Sequence, residues 1–543
     1  MSQTRYRCLA CSLIAASVAA CTFDEQPTGP SSPVEQRPAS VAEAAPPDAS
    51  APEPMPDDDP ILISVDAGAT PQPSSDPVPP PPAASDPGPP DTDDAGASDA
   101  APAEPAAPCQ TACTVFVDIA QRLQLMASDL RALGPDGARQ DVRYLDLTHY
   151  ANAGHGERDL ALYRDALSYA LNSLSRAPNI VVPQAIDAQA LLFRIRLADY
   201  GWSAETWERL IASYPYAVSY DANSRTFPID DTLQRSIRER TGTLTPYVQA
   251  DWFFSHVVRP PLYYELLGVP ASLTALATQL GVSIADDIAN QRVARAGFRE
   301  SGPSNFNRVI ERHALPEQRG VLWLTYDFAA GSGFSNVITH PLDFQHASSE
   351  VLFSLPNGLH GYMIADGRGA RLDKAPSAAV QDAHAADLSI EAGISCSDCH
   401  ASGGINGRYD EVRDAVTLFG TNAATTDAVL ALYKDQATLD ALFQADSARY
   451  ATALAATRLR AFTDGSAHEL DADYAALLAP KDVAGVLGIR EPQLMAAIAA
   501  SPVLFPPEVL AMRNPGSTLA RDRFDSLFVS LVSALGLGAA ERP

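Results

Sequence analysis

The chain has 543 residues and a formal net charge of −27 at pH 7, from 39 Lys and Arg against 66 Asp and Glu. That balance excludes a nucleic-acid binder, which needs a basic face. The length allows two to three domains, but 23 of the 44 prolines fall between Thr22 and Pro108, so not all of the chain can bury a core.

Residues 1–21 read as a secretion signal. Arg5 and Arg7 form a charged start, and Leu9 to Ala20 is an apolar run too short to span a bilayer as a mature helix. The run ends in Val18-Ala19-Ala20-Cys21, which is similar to a bacterial lipoprotein cleavage box. The similarity implies cleavage before Cys21 and lipid on its sulfur. Thr at position 22 implies an outer-membrane address, with the body facing the periplasm or the cell surface. Cys8 and Cys11 leave with the signal and take no chemical role.

Residues 22–108 are rich in Pro, Ala, Ser and Asp, with 17 acidic residues and one base, Arg37. They are expected to be a disordered, partly extended tether reaching roughly 50 Å as a flexible coil. The remaining residues 109–543 carry only −13, so most of the acidity belongs to the tether. Cys109 and Cys113 open the folded part. Outside the cytoplasm they are expected to form a disulfide, which requires a local turn because an i, i+4 pair in a continuous helix has poor bridging geometry.

Apolar spacing predicts helices over 115–133 and 159–175. Phe193, Ile195 and Leu197 alternate with Arg194 and Arg196, which predicts a half-buried strand over 191–200. Ser203 caps a short helix carrying Trp207, Leu210 and Ile211. Pro246, with Thr245 as cap, begins a helix carrying Tyr247, Trp252 and Phe253 that stops before Pro260-Pro261. Helices follow over about 271–280 and 304–313, then strands at 321–328 and 351–354 and a hairpin over 362–372 turning at Asp366-Gly367. After residue 407 helices dominate, over about 408–419, 426–433, 436–457, 470–478, 491–500 and 517–536. The expected fold is mainly α with a few short strands and a hairpin, an α+β chain. A helical body is expected over 109–320. A haem domain follows over 321–543, with its strands in 321–372 and its helices after them.

The haem expectation rests on Cys396-Ser397-Asp398-Cys399-His400, a C-x-x-C-H. Two thiols one short loop apart can add across the two vinyl groups of a haem, and the adjacent imidazole then serves as the first axial ligand of the iron. With seven cysteines and ten histidines in the chain, a chance match is about a one-in-several-hundred event. A redox C-x-x-C usually opens a helix after a βαβ pattern, and none precedes Cys396. A four-ligand zinc site needs a second pair, and the other candidates lie far upstream. There is no G-x-S-x-G, H-E-x-x-H, P-loop or G-x-G-x-x-G motif.

Several stretches occur together: VRYLDLTHYANAG (142–154), NSLSRAPNIVVPQAID (172–187), RPPLYYELLGVP (259–270), NRVIERH (307–313), YDFAAGSG (326–333), ITHPLDF (338–344), FSLPNGLHGYMIADGRGARLDKAP (353–376) and GISCSDCHASG (393–403). This combination resembles a family of exported bacterial proteins, of planctomycetes and proteobacteria, that end in a cytochrome-c-type haem domain. The resemblance covers nearly all of 142–538. It implies one covalent haem c, held by Cys396 and Cys399 with His400 on the iron, and a capacity for electron transfer. It implies no substrate. In FSLPNGL-x-GY the family carries Gln where this chain has His360, so the resemblance gives His360 no role.

The second axial ligand separates two functions. A Met or His there suits outer-sphere electron transfer to redox protein partners, and an open position suits small-molecule binding or peroxide chemistry. Met363, in the hairpin before the motif, is the candidate distal ligand. His360 lies an odd number of residues from it and so on the other side of a strand. His313 and His340 lie in family-like stretches, and Met495 and Met512 sit in or beside helical runs that suggest packing. The leading expectation is a lipid-anchored monohaem cytochrome c that transfers electrons. The alternative is a haem c enzyme or sensor with an open, peroxidase-like iron position.

Overall fold

The computed structural model describes residues 116–541 apart from 135–138, 222–230, 300, 302, 401–404, 406 and 421. The expected signal, the tether, the lipidation site Cys21 and the Cys109–Cys113 bridge lie outside the described residues. The described part is a mixed α and β structure, 47% helical and 16% strand, around one contiguous apolar core. Among the described residues no single helix is long and apolar enough to cross a membrane.

The strands in chain order are β1 (Val142–Asp146), β2 (Gln184–Ala185), β3 (Leu192–Arg196), β4 (Val218–Tyr220), β5 (Tyr247–Gln249), β6 (Ala294–Phe298), β7 (Arg308–Ala314), β8 (Val321–Asp327), β9 (Ser348–Ser354), β10 (His360–Asp366), β11 (Arg371–Leu372) and β12 (Gly538–Ala540). They gather into a small sheet in the order β2-β3-β1-β5, a pair β12-β4, and a six-stranded antiparallel meander from β11 back to β6. The expected domain boundary between residues 320 and 321 cuts through this meander, between the paired strands β7 and β8. Residues on its two sides therefore share one sheet.

Two expected helices are corrected by tertiary pairing. Residues 304–313 end in β7, not in a helix. Arg308, Glu311 and His313 mimic the polar stripe of an amphipathic helix, yet all three are buried. They are tolerated because each is paired, Arg308 with Asp327 at 2.6 Å, Glu311 with Arg295 at 2.5 Å, and His313 with Glu311 at 2.9 Å and Asp287 at 3.0 Å. Tyr247 likewise belongs to β5, which lies parallel to β1, and the helix carrying Trp252 begins at Ala250. The carbonyl of Pro246 accepts from the Tyr144 N–H at 2.9 Å, which draws this segment into the sheet. The strand expected over 191–200 ends at Arg196 and passes into a 3-10 turn over Leu197–Tyr200, and the helix expected over 470–478 runs Ser466–Tyr474; most other boundaries agree within a few residues. Ser203 caps Ala204–Ile211 by accepting from the Thr206 N–H, and the hairpin turns after Asp366, whose carboxylate accepts from the Arg368 and Ala370 N–H groups.

The long helix Gln436–Ala456 covers one face of the meander. Trp323 stacks on Phe443 with ring centroids 5.1 Å apart, Arg312 binds Asp446 at 2.8 Å, and His360 stacks on Tyr450 at 4.2 Å. The register places Arg312, Trp323, Leu352 and Tyr362 side by side across β7–β10 on this face. Glu311, Leu324, Val351 and Met363 form the neighbouring row, which points to the opposite face because successive strand residues alternate.

Candidate functional site

The C-x-x-C-H lies in the short helix Ile394–His400. On a helix, positions i, i+3 and i+4 share a face, so Cys396, Cys399 and His400 project together. Ile394, Ser395, Ser397 and Asp398 are buried, whereas Cys396 is half-buried and Cys399 exposed. Gly393 admits the chain into this helix with φ near 85°, a left-handed conformation that favours glycine, and a Cβ there would overlap the Val258 carbonyl and the Tyr263 ring.

Asp398, one of the two spacer residues of the motif, fixes the helix in place. Its carboxylate accepts from the Ala467 N–H at 2.6 Å and the His468 N–H at 3.0 Å, and it pairs with the His468 ring. It thus caps the helix Ser466–Tyr474, whose own N-cap residue, Gly465, has no side chain to do so. Burial opposes charge on His468, but Asp398 and then Asp382 outweigh it and hold its pKa above the ordinary value.

Both thiols are unbridged. Burial pushes the Cys396 thiol well up, whereas Cys399 is exposed. Among the described residues no group of three or more His, Cys, Asp or Glu side chains converges as the ligands of a single ion.

Aromatic side chains pack beside the motif. Tyr362 of β10 stacks on His400, with centroids 5.7 Å apart and planes 21° from parallel. Tyr169 is fully buried, its hydroxyl beside those of Ser397, Tyr450 and Tyr362. The Tyr263 hydroxyl accepts from the Tyr362 N–H at 2.9 Å, and the Tyr264 hydroxyl accepts from Ile364 at 3.2 Å. These two tyrosines close the side of β10 that the short β11 leaves uncovered. Three polar atoms here are buried without a hydrogen-bond partner of good geometry: His360 Nδ1, Tyr362 Oη and Tyr450 Oη. Burial, and then His400, pushes the His360 imidazole down to about 3.

Met363 does not reach this site. It is fully buried on the opposite face of β10, in the row with Val351 and Leu324. Strand alternation, which in the sequence separates Met363 from His360, gives the motif side to His360. His313 has both ring nitrogens on carboxylates, and His340 pairs with Asp343 in a loop at 3.2 Å. Asp398 and the tyrosine cluster carry no signal in the sequence, because their partners lie tens of residues away. The tandem Tyr263-Tyr264 is legible only as core.

A separate cavity of about 160 Å³ is lined by His149, Tyr150, His155, Asp473, Lys481 and Arg521, among others. His149 Nε2 lies 2.9 Å from the buried Asp251. Asp473 belongs to the helix that Asp398 caps, so that helix runs between the motif and the cavity. Comparisons with protein-family models, with curated proteins and with solved structures find no match.

Proposed function

We propose that the chain is a lipid-anchored monohaem c-type cytochrome that passes electrons to periplasmic or membrane redox partners. The observation that carries this reading is the single helical face of Cys396, Cys399 and His400, with both thiols unbridged. Haem c, when bound, supplies a one-electron iron couple whose potential follows axial ligation, burial and hydrogen bonding. Each cysteine would add its S–H across one vinyl C=C to give a thioether, with no atom lost. His400 would hold the iron from one side. Tyr169, Tyr263 and Tyr362 keep water from the inner side of the motif, while the exposed Cys399 leaves its outer edge open to a partner. The cytochrome-c-like part then comprises the motif helix, the helices after residue 410 and the sheet face that carries Tyr362.

The test is expression in a host that attaches haem outside the cytoplasm, followed by denaturing electrophoresis with haem staining and a pyridine haemochrome assay. One haem per chain that survives denaturation is expected, and Cys396→Ser with Cys399→Ser abolishes it. Protein that matures without covalent haem overturns the reading. A second reading, a haem enzyme with an open iron position, draws on the cavity beside His149 and Asp251, which has room for about five waters or a small substrate. Carbon monoxide binding by the ferrous protein, with turnover of peroxide, would favour it.

A further inference from the structure

We propose that His360 is the second axial ligand of the haem iron, opposite His400, so that the iron is held by two histidines. The inference rests on the haem reading above and adds the residue on the far side of the iron. His360 and Tyr362 share a face of β10, two residues apart, and Tyr362 is stacked on His400. His360 is thereby placed on the same side of the sheet as the motif. Its ring is sandwiched against Tyr450, with centroids 4.2 Å apart and planes 18° from parallel, and packs edge-on to Tyr362. Only 2% of the residue is exposed, and Nδ1 is buried with no hydrogen-bond partner. Leaving a buried nitrogen unpaired is costly, and a metal bond removes that cost.

The competing donors are weaker. Met363 lies on the opposite face. His313 is committed to Glu311 and Asp287, and His468 to Asp398. Tyr362 and Tyr450 would have to ligate as phenolates, which their burial opposes, whereas an imidazole ligates in its neutral form. The aromatic rings around His360 also restrict its rotation, and such restriction keeps a ligand in place.

The experiment compares ferric wild type, His360→Ala, His360→Met, Met363→Leu and His384→Ala by absorption, electron paramagnetic resonance and near-infrared magnetic circular dichroism. Wild type should be low-spin with a bis-histidine signature, which needs no variant to fold. His360→Ala should become high-spin, bind carbon monoxide when reduced, and return to low-spin on addition of imidazole. His360→Met should remain six-coordinate with a sulfur-to-iron charge-transfer band and a raised reduction potential. Met363→Leu should match wild type, as should His384→Ala, because the His384 ring is paired with Asp382 at 3.6 Å. A histidine–methionine or high-spin wild type, a His360→Ala spectrum unchanged from wild type, or conversion in either control overturns the proposal. Absence of covalent haem in the wild type sinks the cytochrome reading itself, which the haem stain distinguishes from a failure of ligation.

Discussion

At the scale of single residues, the spacer residue Asp398 ties the motif helix to a distant segment. Asp398 holds two backbone N–H groups and a histidine ring across 69 and 70 residues of chain. Asp398→Ala leaves those donors unpaired at the buried start of the helix Ser466–Tyr474. It is expected to cost about 1–3 kcal/mol in urea unfolding, and Asp398→Asn should recover only part of the loss. Glu311 gives a pH dependence of defined sign. Burial works against its charge, but the His313 hydrogen bond and Arg295 hold its carboxyl at about 2, below the ordinary 4.5. A depressed carboxyl contributes stability above its unfolded pKa and loses it as pH falls towards the folded value. Unfolding free energy should therefore drop between about pH 4.5 and pH 2, by on the order of 3 kcal/mol from this group. Glu311→Gln should flatten that part of the profile.

At the scale of elements, the glycine that starts the motif helix is the most exacting position. Gly393→Ala combines a left-handed backbone with overlap against Val258 and Tyr263. It should cost about 2–4 kcal/mol by thermal or urea unfolding. Gly361→Ala, which meets the Phe353 ring at 2.5 Å, should be tolerated less well than an average surface change. The C-terminal helices and the strand around Phe193 were legible from apolar periodicity, and the hairpin was legible from its Asp366-Gly367 turn, although its strand β10 is buried on both faces. β7 was not, because its polar residues are satisfied by partners on other strands and loops, and periodicity cannot register a salt bridge. The C-x-x-C-H was visible as a motif because its three side chains fall within five consecutive residues. Which of Met363 and His360 shares the motif's side of β10 was not legible, because only the sheet register and the packing of Tyr362 on His400 fix that face.

At the scale of the whole molecule, the proposed arrangement is a folded haem body on an acidic tether attached by lipid at Cys21. Cys21→Ser should move the protein from the membrane fraction to the soluble fraction after export without changing its haem content. Retention in the membrane would show another anchor. Within the body, the carboxylate grip of Asp398 bears on the order of assembly. The three motif residues are synthesised well before Ala467 and His468, so the thiols can be presented to haem while the structure that holds their helix does not yet exist. A chain cut before residue 466 would keep every atom needed for covalent attachment and lack the clamp that orients it. On the proposed haem reading, attachment and ligand geometry would be separable stages of maturation, the first governed by five consecutive residues and the second completed only when the C-terminal segment folds back.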